Sequence, residues 1–262
     1  MESLGAAEVD GNVILFDAPQ RFAIAGDWHC NHVYIELALE WAKARGCDIV
    51  VQLGDFGLDL PDWYVKKVDG CLNKLDMQVW FIDGNHDNHG LLHTLPIEPN
   101  GMHRITDRLW HIPRGFMWTW NNTKFMGLGG AVSVDRNVRT PGYDWWPGET
   151  ISVRDYKLAI RAANVDVMFM HDAPQRVMHK IPRHVAGYPD AEMRAAANHS
   201  ALLDDIVEEL QPKILFHGHF HTNYTAQIGG LTVKGLHKDG SHKEQNMFVW
   251  DWEHWNARAE EV

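Results

Sequence analysis

Five short apolar runs in this chain each stop at Asp, Asn or His, and that pattern narrows the folds open to it. "RFAIA" leads into Gly26-Asp27-Trp28-His29, "CDIVVQL" into Gly54-Asp55, and "MQVWFID" into Gly84-Asn85-His86-Asp87. "VDVMFM" leads into His171-Asp172, and "KILF" into His217-Gly218-His219-Phe220-His221. Short β-branched apolar runs read as strands buried on both faces. Between the first three, "VYIELALEWAKAR" and "DWYVKKVDGCLNKL" read as helices. This β-α-β-α-β alternation predicts a mainly parallel sheet covered by helices. Ligands of such sheets bind beyond the carboxyl ends of the strands. One Asp or Asn there is ordinary turn chemistry. Five such strand ends in one chain point to a site, and the glycines beside most of them let the backbone approach a ligand closely.

The remaining segments fit one domain over residues 12–262, preceded by eleven small and polar residues expected to be loosely ordered. "NVILFDAP" reads as a further strand. "RLWHIPRGFMWTWNNTKFMGLGGAVS" reads as a hairpin about Asn121-Asn122, within or beside the sheet. "TISVRDYKLAIRAANV" and "SALLDDIVEEL" read as helices, and "AQIGGLTVKGL" and "QNMFVWDW" as late strands. Residues 142–149 and "RHVAGYPDAEMRAAANH" are expected to be loop insertions.

A chain of 262 residues is long enough for a sizeable core. Its net charge of −11 argues against wrapping long nucleic acid, which needs a basic surface. Three scattered cysteines, Cys30, Cys47 and Cys71, form neither a disulfide framework nor a zinc motif, as suits a reducing cytoplasm. There is no secretory signal pattern and no apolar run long enough to span a bilayer, so a soluble cytoplasmic protein is expected, without a membrane partner. The sequence leaves its oligomeric state open.

Three histidines within five residues, His217, His219 and His221, are hard to satisfy in a core, because each brings a donor and an acceptor. Neutral imidazole is the commonest metal-ligand side chain. Carboxylate, amide and imidazole ligands without thiolate suit Mn²⁺, Fe or Zn²⁺. Two ions about 3.5–4 Å apart can clamp a phosphoryl group and activate a shared water near neutral pH.

Asp-x-His, Gly-Asp, Gly-Asn-His-Asp, His and Gly-His-x-His, in this order from Asp27 to His221, resemble the calcineurin-like metallophosphoesterase family, above all its small stand-alone bacterial and phage members. The resemblance implies a four-layer α/β/β/α sandwich of two mixed sheets flanked by helices, with two divalent metal ions, Mn first and Fe or Zn as alternatives. It implies that Asp27, His29, Asp55 and His221 hold one ion. Asp55 would bridge to a second ion completed by Asn85, His171 and His219. His86 would contact the phosphate with Asn85 and act as general acid; of Asp87 and Asp59, the spacing favours Asp87 to orient it. His217 is left over and reads as a core or supporting histidine, and Cys30 as a small hydrophobe.

One departure bears on substrate. Phosphoprotein phosphatases of the family extend Gly-Asp to Gly-Asp-x-x-Asp-Arg, whereas "GDFGLDLP" has Leu58 and Asp59 at those places. A missing guanidinium weakens recognition of a doubly charged monoester, because bidentate pairing to phosphate is the strength of Arg. Arg136 or Arg139, in the loop after "GGAVS", is the replacement to look for, with Arg136 the first choice. The twin tryptophans Trp145 and Trp146 read chiefly as packing. The expected activity is a metal-dependent phosphodiesterase for cyclic nucleotides or other small nucleotide diesters. A nucleotide or phosphoprotein monoesterase is the alternative, ahead of a nuclease or a non-catalytic scaffold.

Overall fold

The structure, a computed structural model, describes residues 7–9, 13–57, 59–162, 164–182, 187–253 and 255. The apolar runs form two mixed sheets. The strands are β1 (Ala7–Val9), β2 (Val13–Leu15), β3 (Arg21–Ala25), β4 (Ile49–Gln52), β5 (Gln78–Phe81), β6 (His103–Arg104) and β7 (Leu109–His111). They continue with β8 (Phe116–Trp120), β9 (Thr123–Leu128), β10 (Val167–Met170), β11 (Ile214–His217), β12 (Tyr224–Ile228), β13 (Leu231–Gly235) and β14 (Met247–Asp251). One sheet has the order β14-β3-β4-β5-β7-β6, the other β1-β2-β8-β9-β10-β11-β13-β12. Strands β3, β4, β5 and β7 run parallel, as do β9, β10, β11 and β13.

The helices are α1 (His32–Lys43), α2 (Asp62–Leu75), α3 (His89–Leu92), α4 (Val153–Ala159), α5 (Asp190–Leu210) and α6 (Lys243–Asn246). α1 starts where the Asn31 side chain accepts from the Tyr34 N–H, and buries Tyr34, Ile35, Ala38, Leu39 and Ala42 along one stripe. α2 buries Tyr64, Val68 and Leu72 at i, i+4 and i+8 and stops at Asp76, which is left-handed at φ 51°. Both helices cover the outer face of the six-stranded sheet. α4 and α5 cover the outer face of the other sheet. Between the sheets lies an aromatic core that includes Phe22, Trp80, Trp118, Trp120, Phe125, Phe169, Phe216 and Trp250. Each such buried side chain contributes about 1.5–3 kcal/mol relative to exposure. The result is the expected α/β/β/α sandwich. Among the described residues, no helix is long and apolar enough to cross a membrane.

Ala7–Val9 pair antiparallel with β2. Three expectations need correction. The long hairpin is shorter than expected. Only β8 and β9 form it, turning at Asn121 and Asn122 with φ 46° and 62°, while "LWH" is β7 and joins the other sheet beside β5. Within "RHVAGYPDAEMRAAANH", residues 190–199 are helix, because Pro189 sits at the helix entrance and the Ala-rich stretch beyond it favours helix. Residues 183–186 of that stretch lie outside the described residues. The helix in "TISVRDYKLAIRAANV" is confined to α4, opened by a Ser152–Asp155 capping box.

Candidate metal centre

The carboxyl ends of both sheets converge on one place. β3, β4 and β5 lead to Asp27 and His29, to Asp55, and to Asn85 and His86; β10 and β11 lead to His171 and to His219 and His221. The N–H groups of Trp28 and His29 donate to the Asp55 carbonyl at 3.1 and 2.8 Å, tying the first two loops together. His29, Asp55, His219 and His221 all have positive φ, at 43°, 55°, 62° and 50°. Such left-handed non-glycine residues cost roughly 1–3 kcal/mol each and gather where function requires them. Gly218 is required by close approach, since a Cβ there would run into Asp27 Oδ1.

Asp27 and Asp55 are fully buried. Asp27 Oδ2 lies 3.1 Å from His221 Nε2, Asp55 Oδ2 lies 3.4 Å from His29 Nε2, and Asp55 Oδ1 lies 3.4 Å from His171 Nε2. Asp55 thus turns one oxygen to each half of the cluster, which suits a bridge. Donor atoms of Asp27, His29 and His221 lie within 4.8 Å of one another, as do those of Asp27, Asp55 and His171. Asn85 Oδ1 is 3.1 Å from His171 Nε2, and the His219 and His171 ring centres are 5.2 Å apart.

This donor set fits divalent metal. Two buried carboxylates side by side need positive charge. Among the described residues their ion-pair partners are imidazoles, with no Lys or Arg. Burial lowers the His29 pKa, but the hydrogen bond to Asp239 and the two carboxylates outweigh it and raise it to about 10. Burial likewise opposes charge on His171, and Asp55 and Asp27 raise its pKa to about 10. Burial pushes His219 down to about 4, which leaves it neutral with a lone pair to offer. Two carboxylates, an amide and imidazoles without thiolate are a hard-to-borderline set suited to first-row divalent ions.

The candidate ligands are aimed by their neighbours. His29 Nδ1 is 2.8 Å from Asp239 Oδ1, and Asn31 Nδ2 donates to Asp239 Oδ2 at 2.7 Å. His171 Nδ1 donates to the Leu53 carbonyl at 2.7 Å. In both rings a metal at Nε2 would take the place of the second proton. Asn85 Nδ2 donates to Ser133 Oγ at 3.0 Å, turning Oδ1 inward, and the Ser133 N–H donates to Glu149 Oε2 at 3.1 Å. Asp83, at the end of β5, takes two guanidinium hydrogen bonds from buried Arg114 at 2.9 and 2.5 Å. Arg114 also donates to the carbonyls of Gly148, Glu149 and Thr150, pinning that loop to the strand end. Sequence reasoning missed Asp239, Asp83 and Arg114. Asp83 had a signal in its position at a strand end; nothing local in "HKDGS" marks Asp239.

The remaining assignments divide. The His86 N–H donates to Asp55 Oδ1 at 2.8 Å and its ring faces the site. Arg139 lies against that ring, with Nη1 2.7 Å from Nδ1 and Nη2 3.1 Å from Nε2, and makes a bidentate pair with Asp135 at 2.7 Å. A guanidinium only donates and a neutral imidazole has a single lone pair, so His86 here is neutral and accepts at one ring nitrogen only; burial also lowers its pKa. Arg139, and not Arg136, is therefore the arginine at the site. Arg136 pairs with Glu192 at 2.9 Å and lies over Trp145. Asp87 does not orient His86. Its carboxylate accepts from the N–H groups of Gly84, Gly57 and Phe56 at 2.8, 2.9 and 3.3 Å, so it ties together the loops after β4 and β5. His89 is buried beside Asp83, 3.3 Å from it, away from the ligands. His217 is a core histidine, bonded to Tyr224 Oη at 2.6 Å.

A cavity of about 500 Å³ opens over Asp55, Asn85, His86, His219 and His221, with Arg139 on its wall. A larger apolar cleft of about 700 Å³ lies at the far sheet edges, between Phe216, Phe248 and Trp250, and contains none of the expected site residues.

Known proteins resemble the chain at both levels. It is 23% identical to the lariat debranching enzyme of Mus musculus over 88% of this chain, and spans about half of that relative, 46% of its length. The solved structure of TT1561 from Thermus thermophilus superposes with a TM-score of 0.51 at 9% identity, covering 88% of this chain and 98% of that one. A likeness at that identity speaks for the fold alone. The sequence model of the calcineurin-like phosphoesterases matches residues 20–223, a span that holds all seven candidate ligands together with His86 and Arg139. The chain therefore belongs to the calcineurin-like phosphoesterase family.

Proposed function

We propose that the protein hydrolyses phosphodiesters, with small nucleotide diesters, cyclic nucleotides among them, as the substrate class and Mn²⁺ as the first metal to test. The observation that carries this reading is the state of Arg139. The arginine at the cavity is already paired through two hydrogen bonds with Asp135, and it donates besides to the Asp144 carbonyl at 3.1 Å. Its charge is largely balanced, so it offers less to a doubly charged monoester than a free guanidinium fork does. A diester carries one charge fewer and needs a second ester group accommodated, and the cavity beside the ligands has room for one.

Asp27, His29, Asp55 and His221 would hold one ion, and Asp55, Asn85, His171 and His219 the other. Bound there, divalent ions supply Lewis acidity and make water acidic enough to attack near neutral pH. The chain's own part is to place phosphate between Asn85, His86 and Arg139. As phosphate enters, Arg139 turns its Nη donors from the His86 ring to a phosphate oxygen. That frees the ring's lone pair to take up a proton from solvent, which His86 then passes to the leaving oxygen.

The test compares kcat/KM for bis-p-nitrophenyl phosphate and p-nitrophenyl phosphate on metal-stripped protein reloaded with Mn²⁺. The diester is expected to be the faster substrate, and Arg139→Ala to lower its kcat/KM about ten- to a hundred-fold, as loss of a charge-assisted contact does. Preference for the monoester would overturn the reading.

A further inference from the structure

Away from the ligands, the cavity has a wall that the metal chemistry does not use. Met193, Ala196 and Ser200 stand at i, i+3 and i+7 on α5, which places them on one helix face. Together with Phe220 and Met178 they line the cavity beside His219. Tyr188, 43% exposed, also lines it. Apart from the exposed Tyr188, the wall is apolar except at one point. Ser200 is only 2% exposed, and its Oγ has no hydrogen-bond partner among the described residues. A helical serine ordinarily bonds back to the carbonyl one turn earlier, and a buried hydroxyl without a partner costs roughly 1–3 kcal/mol. The Asp172 carboxylate, which also lines the cavity, is engaged. Asp172 Oδ2 lies 2.8 Å from His199 Nδ1, and its Oδ1 accepts from the Ala173 N–H at 2.7 Å.

We propose that this wall is a nucleobase subsite, in which an apolar heterocycle face lies against Met193, Ala196 and Phe220 and the Ser200 hydroxyl bonds a ring nitrogen or carbonyl. The inference rests on the phosphodiester reading and names the group that the second ester would carry. An alkyl chain would fill the apolar wall but leave Ser200 unsatisfied. A sugar alone would satisfy Ser200 but waste the wall. A base does both, and the aromatic ring of Phe220 accepts the face of any base.

The test uses two esters with the same leaving group, thymidine 5′-(p-nitrophenyl phosphate) and methyl p-nitrophenyl phosphate, on the Mn²⁺-loaded protein. The nucleoside ester is expected to have the higher kcat/KM by roughly ten- to a hundred-fold. Ser200→Ala should reduce that ratio about three- to ten-fold, and Ala196→Phe, which fills the wall, should bring it towards one. Calorimetric binding of thymidine 5′-phosphate and methyl phosphate to the same three proteins gives a readout independent of turnover. A ratio near one in the unaltered protein, or a ratio untouched by both substitutions, overturns the subsite. If neither ester is hydrolysed but the nucleotide binds preferentially through Ser200, the subsite stands and the phosphodiester reading falls. If there is no turnover and no preferential binding, both fall.

Discussion

Replacing Asp239 by Asn should weaken one metal ion and spare the other. Asp239 uses both oxygens, one 2.8 Å from His29 Nδ1 and the other accepting a hydrogen bond from Asn31 Nδ2 at 2.7 Å. Asparagine has a single oxygen. If that oxygen serves Asn31, an NH₂ group faces His29, and the imidazole must present a lone pair at Nδ1. Its proton then moves to Nε2, the atom 3.4 Å from Asp55 Oδ2 that is needed for the metal. If the oxygen serves His29 instead, two NH₂ groups meet at Asn31. Loss of such an outer carboxylate typically weakens a metal ten- to a hundred-fold, about 1.4–2.7 kcal/mol. The effect should fall on the ion held by Asp27, His29 and His221, because His171 is oriented separately by the Leu53 carbonyl. Calorimetric titration of metal-stripped protein with Mn²⁺ should resolve two sites in the unaltered chain. In Asp239→Asn one should weaken by that factor and the other by less than about threefold. Unchanged affinity at both sites would refute the orienting role of Asp239.

Two further perturbations separate roles that the sequence ran together. His86→Ala should keep both ions and lose turnover, most severely for esters with poor leaving groups. Asp87→Ala should instead lower the stability by roughly 2–4 kcal/mol in urea denaturation, since three backbone N–H groups lose their acceptor, without steepening the leaving-group dependence. Equal leaving-group effects in the two variants would contradict that division. Acid should destabilise the fold through His103, which is buried against His111 at 3.1 Å and whose pKa burial lowers to about 4. In the unfolded chain this histidine takes up its proton near pH 6.5. As pH falls from about 6.5 to 4, the unfolded state gains that proton first, and stability drops by up to about 3 kcal/mol. Urea midpoints of His103→Gln should fall less over this window, and parallel pH slopes in the two proteins would count against it.

Most of the frame was legible because strand ends and helix faces are local features. The buried runs at β3, β4, β5, β10 and β11 and the stripe on α2 depend on residue type and spacing within a dozen positions. The ligand types follow those runs directly in the chain. What stayed hidden depends on distant contacts or on backbone direction. Asp239 is 210 residues from His29 in sequence, and Arg114 is 31 from Asp83. Arg136 and Arg139 look equivalent in a loop. In the fold, Arg136 opens a single 3-10 turn and faces Glu192 on α5, whereas Arg139 leaves that turn with extended backbone (φ −96°, ψ 159°) and lies against His86. Asp87 sits beside a site residue in sequence, yet its carboxylate points into three backbone donors. Adjacency in the chain says little about where a side chain goes.

The chain is expected to bind two ions, with Asp55 a ligand to both, and to work only when both are held. The direct measurement is a Mn²⁺ titration of metal-stripped protein, following bound metal per chain and hydrolysis of bis-p-nitrophenyl phosphate in the same samples. Activity is expected to rise with the second equivalent, and Asp55→Ala to lose both tight binding and turnover. Full activity with a single ion per chain, or retention of both ions and turnover in Asp55→Ala, would contradict it.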